Sequence, residues 1–315
     1  MSTGKMRYDP KNRKESSVYA QSVNTPDSSN PACRLWVGTS GYSYAEWADT
    51  GFYPSGTPPA RMLPVYARCF SIVELNYTWY QMPKIQPLER LVNQVPPDFR
   101  FTAKLTRSLT HEVEPARWRS DASRYRDGIS VLIQSGQLMA ILAQFPPNFD
   151  RELKNRRFLA ALLDEFDGVP LAVEFRHRSW AHDRVFAELE RRKITMVTVD
   201  TPSLPGLFPS LDVVTNPELF YIRFHGRNAR GWRSGSMQKQ FDYHYTDEEL
   251  FELANGLVAK MACQAGCGVI FFNNHVRGQA ADNARTFMAK LMECGLMEKM
   301  SATGTEKAWA APLFT

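Results

Sequence analysis

A chain of 315 residues, 43% hydrophobic and 23% charged, has the composition of a globular protein with a substantial core, and none of its apolar runs approaches the ~20 residues of a membrane span. The net charge of +5 is weighted toward the first thirty residues, where Lys5, Arg7, Lys11, Arg13 and Lys14 outnumber Asp9, Glu15 and Asp27. The rest is only mildly basic, so an anionic partner is permitted and not required. Cys33, Cys69, Cys263, Cys267 and Cys294 are too few for a disulfide scaffold and lack zinc-knuckle spacing. With an N-terminus too polar for a secretory signal, they point to a cytoplasmic protein.

Residues 1–32 are rich in Ser, Asn, Lys and Pro without hydrophobic periodicity, and read as a disordered tail. Short apolar strands then alternate with helix-like segments. The strands are Leu35–Val37, Ile72–Asn76, Phe101–Leu105, Leu138–Phe145, Ala172–His177, Met196–Asp200, Tyr221–His225 and Val269–His275. Among the helices, 151–166 repeats its apolar residues near helical spacing, and Thr246-Asp-Glu-Glu249 is a capping box. Ala284, Phe287, Met288 and Leu291 mark a last helix that Gly295 ends. The Pro-rich stretch 201–218 reads as a long loop where a sixth helix would fall. Eight strands with intervening helices over roughly 260 residues predict an α/β fold, a TIM (β/α)8 barrel. A doubly wound open sheet is the alternative. The barrel is expected over 33–295, as a single domain with a flexible N-terminal tail and a C-terminal extension at 296–315.

Alternation predicts what the barrel encloses. Val73 and Leu75 facing the helices turns Glu74 and Asn76 inward, and the same parity brings in Lys104, Gln144, Glu174, Arg176, Asp200, Arg223 and His225. The eighth strand is too uniformly apolar for parity to decide, but it ends in Asn273, Asn274 and His275. Polar side chains thus converge on the C-terminal end of the barrel, where barrel enzymes place their chemistry.

Glu174, Glu74 and His225, the last titrating near neutrality, are the candidate acid–base residues. Lys104, Arg176 and Arg223 suit a phosphate or carboxylate, and Gly226, Arg227, Asn273 and Asn274 lie where many barrels seat a phosphate. A self-neutralising network that merely stitches the barrel together is the competing reading. Three interior cations disfavour a multinuclear metal site and leave a single divalent ion as an alternative. No nucleophile elbow, P-loop or dinucleotide fingerprint is present, so no cofactor is predicted. Trp47, Phe52 and Tyr53 read as loop anchors, whereas Trp232 among its arginines is equally compatible with stacking a ligand.

These residues also carry a family resemblance. Gly38-Thr-Ser-Gly-Tyr42 with Trp47 and Phe52-Tyr-Pro54, Glu74-Leu-Asn76 with Tyr80, Phe101-Thr-Ala-Lys104 and Thr110-His111 stand in order. Gln144-Phe-Pro-Pro147, Ala172–His177 with Ser179-Trp180, Tyr221–Arg227 and Phe272–His275 complete the series. Together they resemble the YecE-like family, domain of unknown function 72, over 35–291. The segment Asn76–Tyr80 departs from the usual small polar residues and Phe of that family, which bears on a pocket wall near Asn76. The resemblance implies a TIM barrel and adds Tyr80, His111 and His275 to the candidate substrate-binding set, but it brings no established activity. The resulting expectation is an enzyme, a hydrolase or a lyase/isomerase, acting by acid–base chemistry on a small anionic or polyhydroxylated substrate. The alternatives are a metal-dependent phosphodiesterase or nuclease, by fold-level analogy with endonuclease-IV-like barrels, and a non-catalytic nucleic-acid binder.

Overall fold

The structure, a computed structural model, describes residues 33–298. The tail expected over 1–32 and most of the C-terminal extension lie outside the described residues. All eight strands form: β1 (Arg34–Thr39), β2 (Ile72–Leu75), β3 (Arg100–Lys104), β4 (Leu138–Gln144), β5 (Leu171–Glu174), β6 (Thr195–Asp200), β7 (Phe220–Phe224) and β8 (Cys267–Phe272). Every ladder is parallel, in the order β1-β8-β7-β6-β5-β4-β3-β2, and this curls into a nearly closed TIM-like barrel.

Closure falls between β1 and β2, where a bridge joins Ser40 to Glu74 and the Gly41 N–H donates to the Glu74 carbonyl at 2.9 Å. Below that bridge a side chain replaces the ladder. Tyr66, ending the helix Pro59–Tyr66, accepts from the Thr39 N–H at 2.9 Å and donates to the Ile72 carbonyl at 3.0 Å. Gly38 permits the close approach, since a Cβ there would lie 2.3 Å from the Ile72 carbonyl oxygen.

Partners across a parallel ladder share a face, so register sorts interior from exterior. Glu74 pairs with Thr102, Lys104 with Leu142, Gln144 with Glu174, and Arg223 with Val199 and Phe271. These side chains share the interior face, as alternation predicted. Asp200 does not. It pairs with Phe224, on the helix-facing side, while Val197 and Val199 fill the interior. The reason lies outside the strand. The 201–219 connection contains no helix, as expected, and covers the outer face of β6 with polar backbone, to which Thr198 donates at the Leu211 carbonyl (2.8 Å).

The helical layer follows the apolar spacing. Leu153–Glu165 buries Leu159, Leu162 and Leu163, and leaves Leu153 exposed at its first turn. The capping box at Thr246 and Glu249 forms, and Gln279–Glu293 buries Ala284, Phe287, Met288 and Leu291 before Gly295 turns the chain at φ +69°. Each large apolar side chain so buried contributes about 1.5–3 kcal/mol. Past the ends of β4 and β5, four aromatic rings stack: Phe145 on Phe149 (4.3 Å), Phe149 on Trp180 (5.4 Å) and Trp180 on Phe175 (4.6 Å). The indole N–H of Trp180 donates to the Phe149 carbonyl at 2.7 Å and locks the stack.

Candidate active site

Arg223 stands at the centre of the barrel's charged layer. Its Nη1 donates to Glu174 Oε2 and its Nη2 to Glu74 Oε1, both at 2.6 Å. Tyr221, two residues earlier on the same face, donates to Glu74 Oε2 at 2.6 Å and contacts the Thr102 hydroxyl at 2.9 Å. Glu174 Oε1 receives Arg176, whose Nε lies 2.5 Å away in a close but poorly aligned ion pair, and His225 Nε2 at 3.2 Å. Asn273 Nδ2 lies 2.9 Å from His225 Nδ1, and His225 Nε2 also meets Arg176 Nη2 at 3.2 Å.

The network sets the protonation states. Burial alone would raise Glu174, but Arg176 and then Arg223 hold it well below the usual carboxylate range. Arg223 is raised, its own burial outweighed by Glu174 and Glu74. His225 was expected to titrate near neutrality, and here the structure corrects the sequence reading. Burial, and next the neighbouring Arg176 guanidinium, lower it to about 3, so the ring is neutral. All four carboxylate oxygens are engaged by Arg, Tyr or His donors. Among the described residues no three His, Cys, Asp or Glu side chains group as metal ligands.

Above this layer the mouth is lined by groups with fewer partners. Lys104, at the end of β3, is partly exposed, with its Nζ 5.1 Å from the centre of the Trp79 ring. Among the described residues that amine has no hydrogen bond and no ion pair. Burial, then Arg223, lower Lys104 to about 7. His111 takes contacts at Nδ1 from the Thr110 hydroxyl (2.8 Å) and the Trp79 indole (3.3 Å), and burial followed by Lys104 lowers it to about 4. Among the described residues Asn76 Oδ1 is buried without a partner, and Gln144 donates to the Phe145 carbonyl at 2.6 Å. The Arg176 guanidinium lies 5.4 Å from the Trp232 ring centre, and the buried Trp232 indole nitrogen has no partner among the described residues.

The remaining sequence candidates are placed elsewhere or are committed to the frame. Tyr80 is exposed on the rim, edge-on to Trp79. Gly226 was expected near a bound phosphate. Its N–H instead donates to the Tyr245 hydroxyl (2.8 Å), and at φ +87° a Cβ would lie 2.5 Å from Tyr243 Cβ. Arg227 is likewise turned outward, paired with Asp200 (2.9 Å) and Glu249 (2.9 Å) beside a separate cleft of about 570 Å³. Asn274 ties the Tyr243 carbonyl to Asn283, both at 2.8 Å. His275 stacks on Tyr44 at 4.9 Å, and its backbone carbonyl accepts the Trp47 indole N–H at 2.9 Å. Trp47, Phe52 and Tyr53 are buried loop anchors, as read from the sequence. Sequence reasoning missed Tyr221, which shares Arg223's parity, and Trp79, for which no sequence signal exists.

The fold and its charged mouth define a (β/α)8-barrel protein. The family model described as protein of unknown function DUF72 matches residues 36–305, and the chain belongs to that family, the one its ordered motifs resemble. It is similar to the UPF0759 protein YunF of Bacillus subtilis, at 27% identity over 274 residues, covering 82% of this chain and 94% of that protein. Among solved structures, a DUF72 family protein of Thermotoga maritima is 37% identical with a TM-score of 0.74, covering 82% of this chain and 99% of that one. A DUF72 family protein of Enterococcus faecalis is 27% identical with the same TM-score of 0.74, covering 84% of this chain and 97% of that one. Among the described residues no helix is long and apolar enough to cross a membrane.

Proposed function

We propose that the barrel mouth is the active site of an enzyme acting on a small anion, carboxylated or phosphorylated. Lys104 carries this reading. Glu74 and Glu174 are matched by Arg223 and Arg176. The Lys104 ammonium is then the charge left without a counter-ion among the described residues. A substrate carboxylate or phosphate supplies that counter-ion. Arg176 offers a second donor, because its Nη1 has no partner among the described residues. Trp79 lies against Lys104 and Trp232 against Arg176, and we assign Asn76, Gln144 and His111 to the same site.

This assignment changes the roles first given to the carboxylates. Glu74 and Glu174 act as counter-ions that fix the guanidiniums, and neutral His225 braces Glu174. Proton transfer passes to Lys104, which at about 7 lies where acid–base catalysis works best at neutral pH.

A thermal-shift screen of small carboxylates and phosphates, run on the wild type and on Lys104→Met, tests the reading. A ligand present at a hundred times its Kd stabilises by about 2.7 kcal/mol. For a domain of this size that is a Tm rise of roughly 5–10 °C. The rise is expected in the wild type and should fall by more than half in the variant. No stabilising anion, or an equal response in both proteins, would refute the assignment.

A further inference from the structure

We infer that Lys104 is an amine nucleophile toward carbonyl compounds, and that the anion taken at the mouth carries an aldehyde or ketone beside its carboxylate or phosphate. The inference rests on the site proposed above and names its substrate class. Three observations support it. Lys104 stands at the C-terminal end of β3, and the residue is only partly buried, so its side chain is not sealed from solvent. Among the described residues no acceptor is hydrogen-bonded or ion-paired to its amine. Glu74 and Glu174 are turned to Arg223, Arg176, Tyr221 and His225, and Nζ lies 5.1 Å from the centre of the Trp79 ring. An ammonium there has only solvent to meet its N–H donors, whereas the neutral amine keeps a free lone pair.

The charged neighbours act in the same direction. Burial and Arg223 bring Lys104 to about 7. Roughly half the molecules then hold a neutral amine at that pH, against fewer than about one in a thousand for an ordinary lysine. A desolvated lysine beside another cation is a recognised way to make this side chain nucleophilic. Arg176, fixed by Glu174, is the cation we assign to the acid group of the same molecule.

The step balances without an oxidant or reductant. The Nζ lone pair attacks the carbonyl carbon, and the C–O π electrons move to oxygen. A proton passes from nitrogen to that oxygen through solvent at the open mouth, giving a carbinolamine. The hydroxyl then leaves as water as the C=N bond forms and nitrogen loses its second proton. One water is released for each imine.

Glyoxylate with cyanoborohydride, applied to the full-length protein at pH 7 and followed by peptide mapping, reads this directly. The hydride reagent converts the imine into a stable secondary amine at the residue that formed it. Lys104 is expected to be alkylated about tenfold or more faster than the exposed Lys84 and Lys154. Its rate should reach half its maximum near pH 7, and glyoxylate should outpace neutral propanal. Labelling of Lys104 no faster than Lys84 would overturn the inference. If acetate or phosphate still raised the Tm of the wild type and not of Lys104→Met, the anion site would stand without it. Equal rates with propanal would remove the anionic half of the substrate assignment.

Discussion

Replacing Tyr66 with Phe deletes one oxygen from the seam between β1 and β2. That oxygen is fully buried and serves two strands at once, accepting from the Thr39 N–H and donating to the Ile72 carbonyl. Burial raises the phenol above its ordinary value, so it stays protonated, and a donor, at any working pH. The Thr39 hydroxyl can turn fully to the Gly41 carbonyl at 2.6 Å and is not orphaned. The two backbone groups have no such escape, because Gly38 and Ile72 already crowd the site. A stranded buried donor or acceptor costs about 1–3 kcal/mol, so by stranding two of them Tyr66→Phe should destabilise the barrel by about 2–6 kcal/mol. That is a large share of the ~5–15 kcal/mol that usually separates folded from unfolded chains. Urea unfolding followed by tryptophan fluorescence measures it as a lower midpoint at constant m-value. Amide exchange at Thr39 should accelerate beyond the global change. A loss below about 1 kcal/mol, with Thr39 still protected, would show that the seam does not depend on this hydroxyl.

The other predictions concern charge. Glu174→Gln leaves Arg176 and Arg223 to share Glu74, and removing one partner of a buried pair costs about 3–5 kcal/mol. Asp200→Asn weakens an ion pair on the outer face and should leave the anion-induced Tm rise intact; a lost rise would put Asp200 back in the mouth. Lys104 adds a pH dependence. Its folded value, about 7, lies below the ordinary 10.5. Between those limits the unfolded chain holds a proton that the folded chain has released, so stability rises with pH across that window. The gain is at most a few kcal/mol, at ~1.4 kcal/mol per pH unit, because the side chain is partly exposed. Urea midpoints of wild type and Lys104→Met at pH 7, 8 and 9 should converge as pH rises. A constant gap would contradict the lowered lysine.

The fold and most of the interior charge were legible in the sequence because a strand has two faces and β2, β3, β5 and β7 keep their polar residues on one. Glu74, Lys104, Glu174 and Arg223 follow from that alone. Asp200 shows the limit of the method. Alternation separates Val197 and Val199 from Thr198 and Asp200, but which pair faces inward depends on the layer packed outside. Around β6 that layer is a loop, which accepts polar side chains. The titration of His225 was illegible for another reason, since it is set by burial and by Arg176, forty-nine positions away in the chain. Nothing in the sequence sets Tyr66 apart from any other aromatic residue. Its hydroxyl acquires a task only when the barrel closes against it.

The four stacked rings beyond β4 and β5 bear on affinity as well as on packing. Phe145 follows Gln144 directly, and Phe175 lies between Glu174 and Arg176, so the stack immobilises the backbone that carries these three side chains. Ordering a long, rotamer-rich side chain on binding costs about 0.5–1.5 kcal/mol. For Arg176 much of that cost is met during folding, by the stack beneath it and by Glu174 beside it. The β7 side of the mouth is built differently, from the short helix Ala229–Arg233 held by Asn228 to the carbonyls of Lys239 and Asp242, each at 3.0 Å. For the anionic substrate proposed above, selectivity would thus be preorganised on one wall, and adaptation to the rest of the ligand would fall to the other.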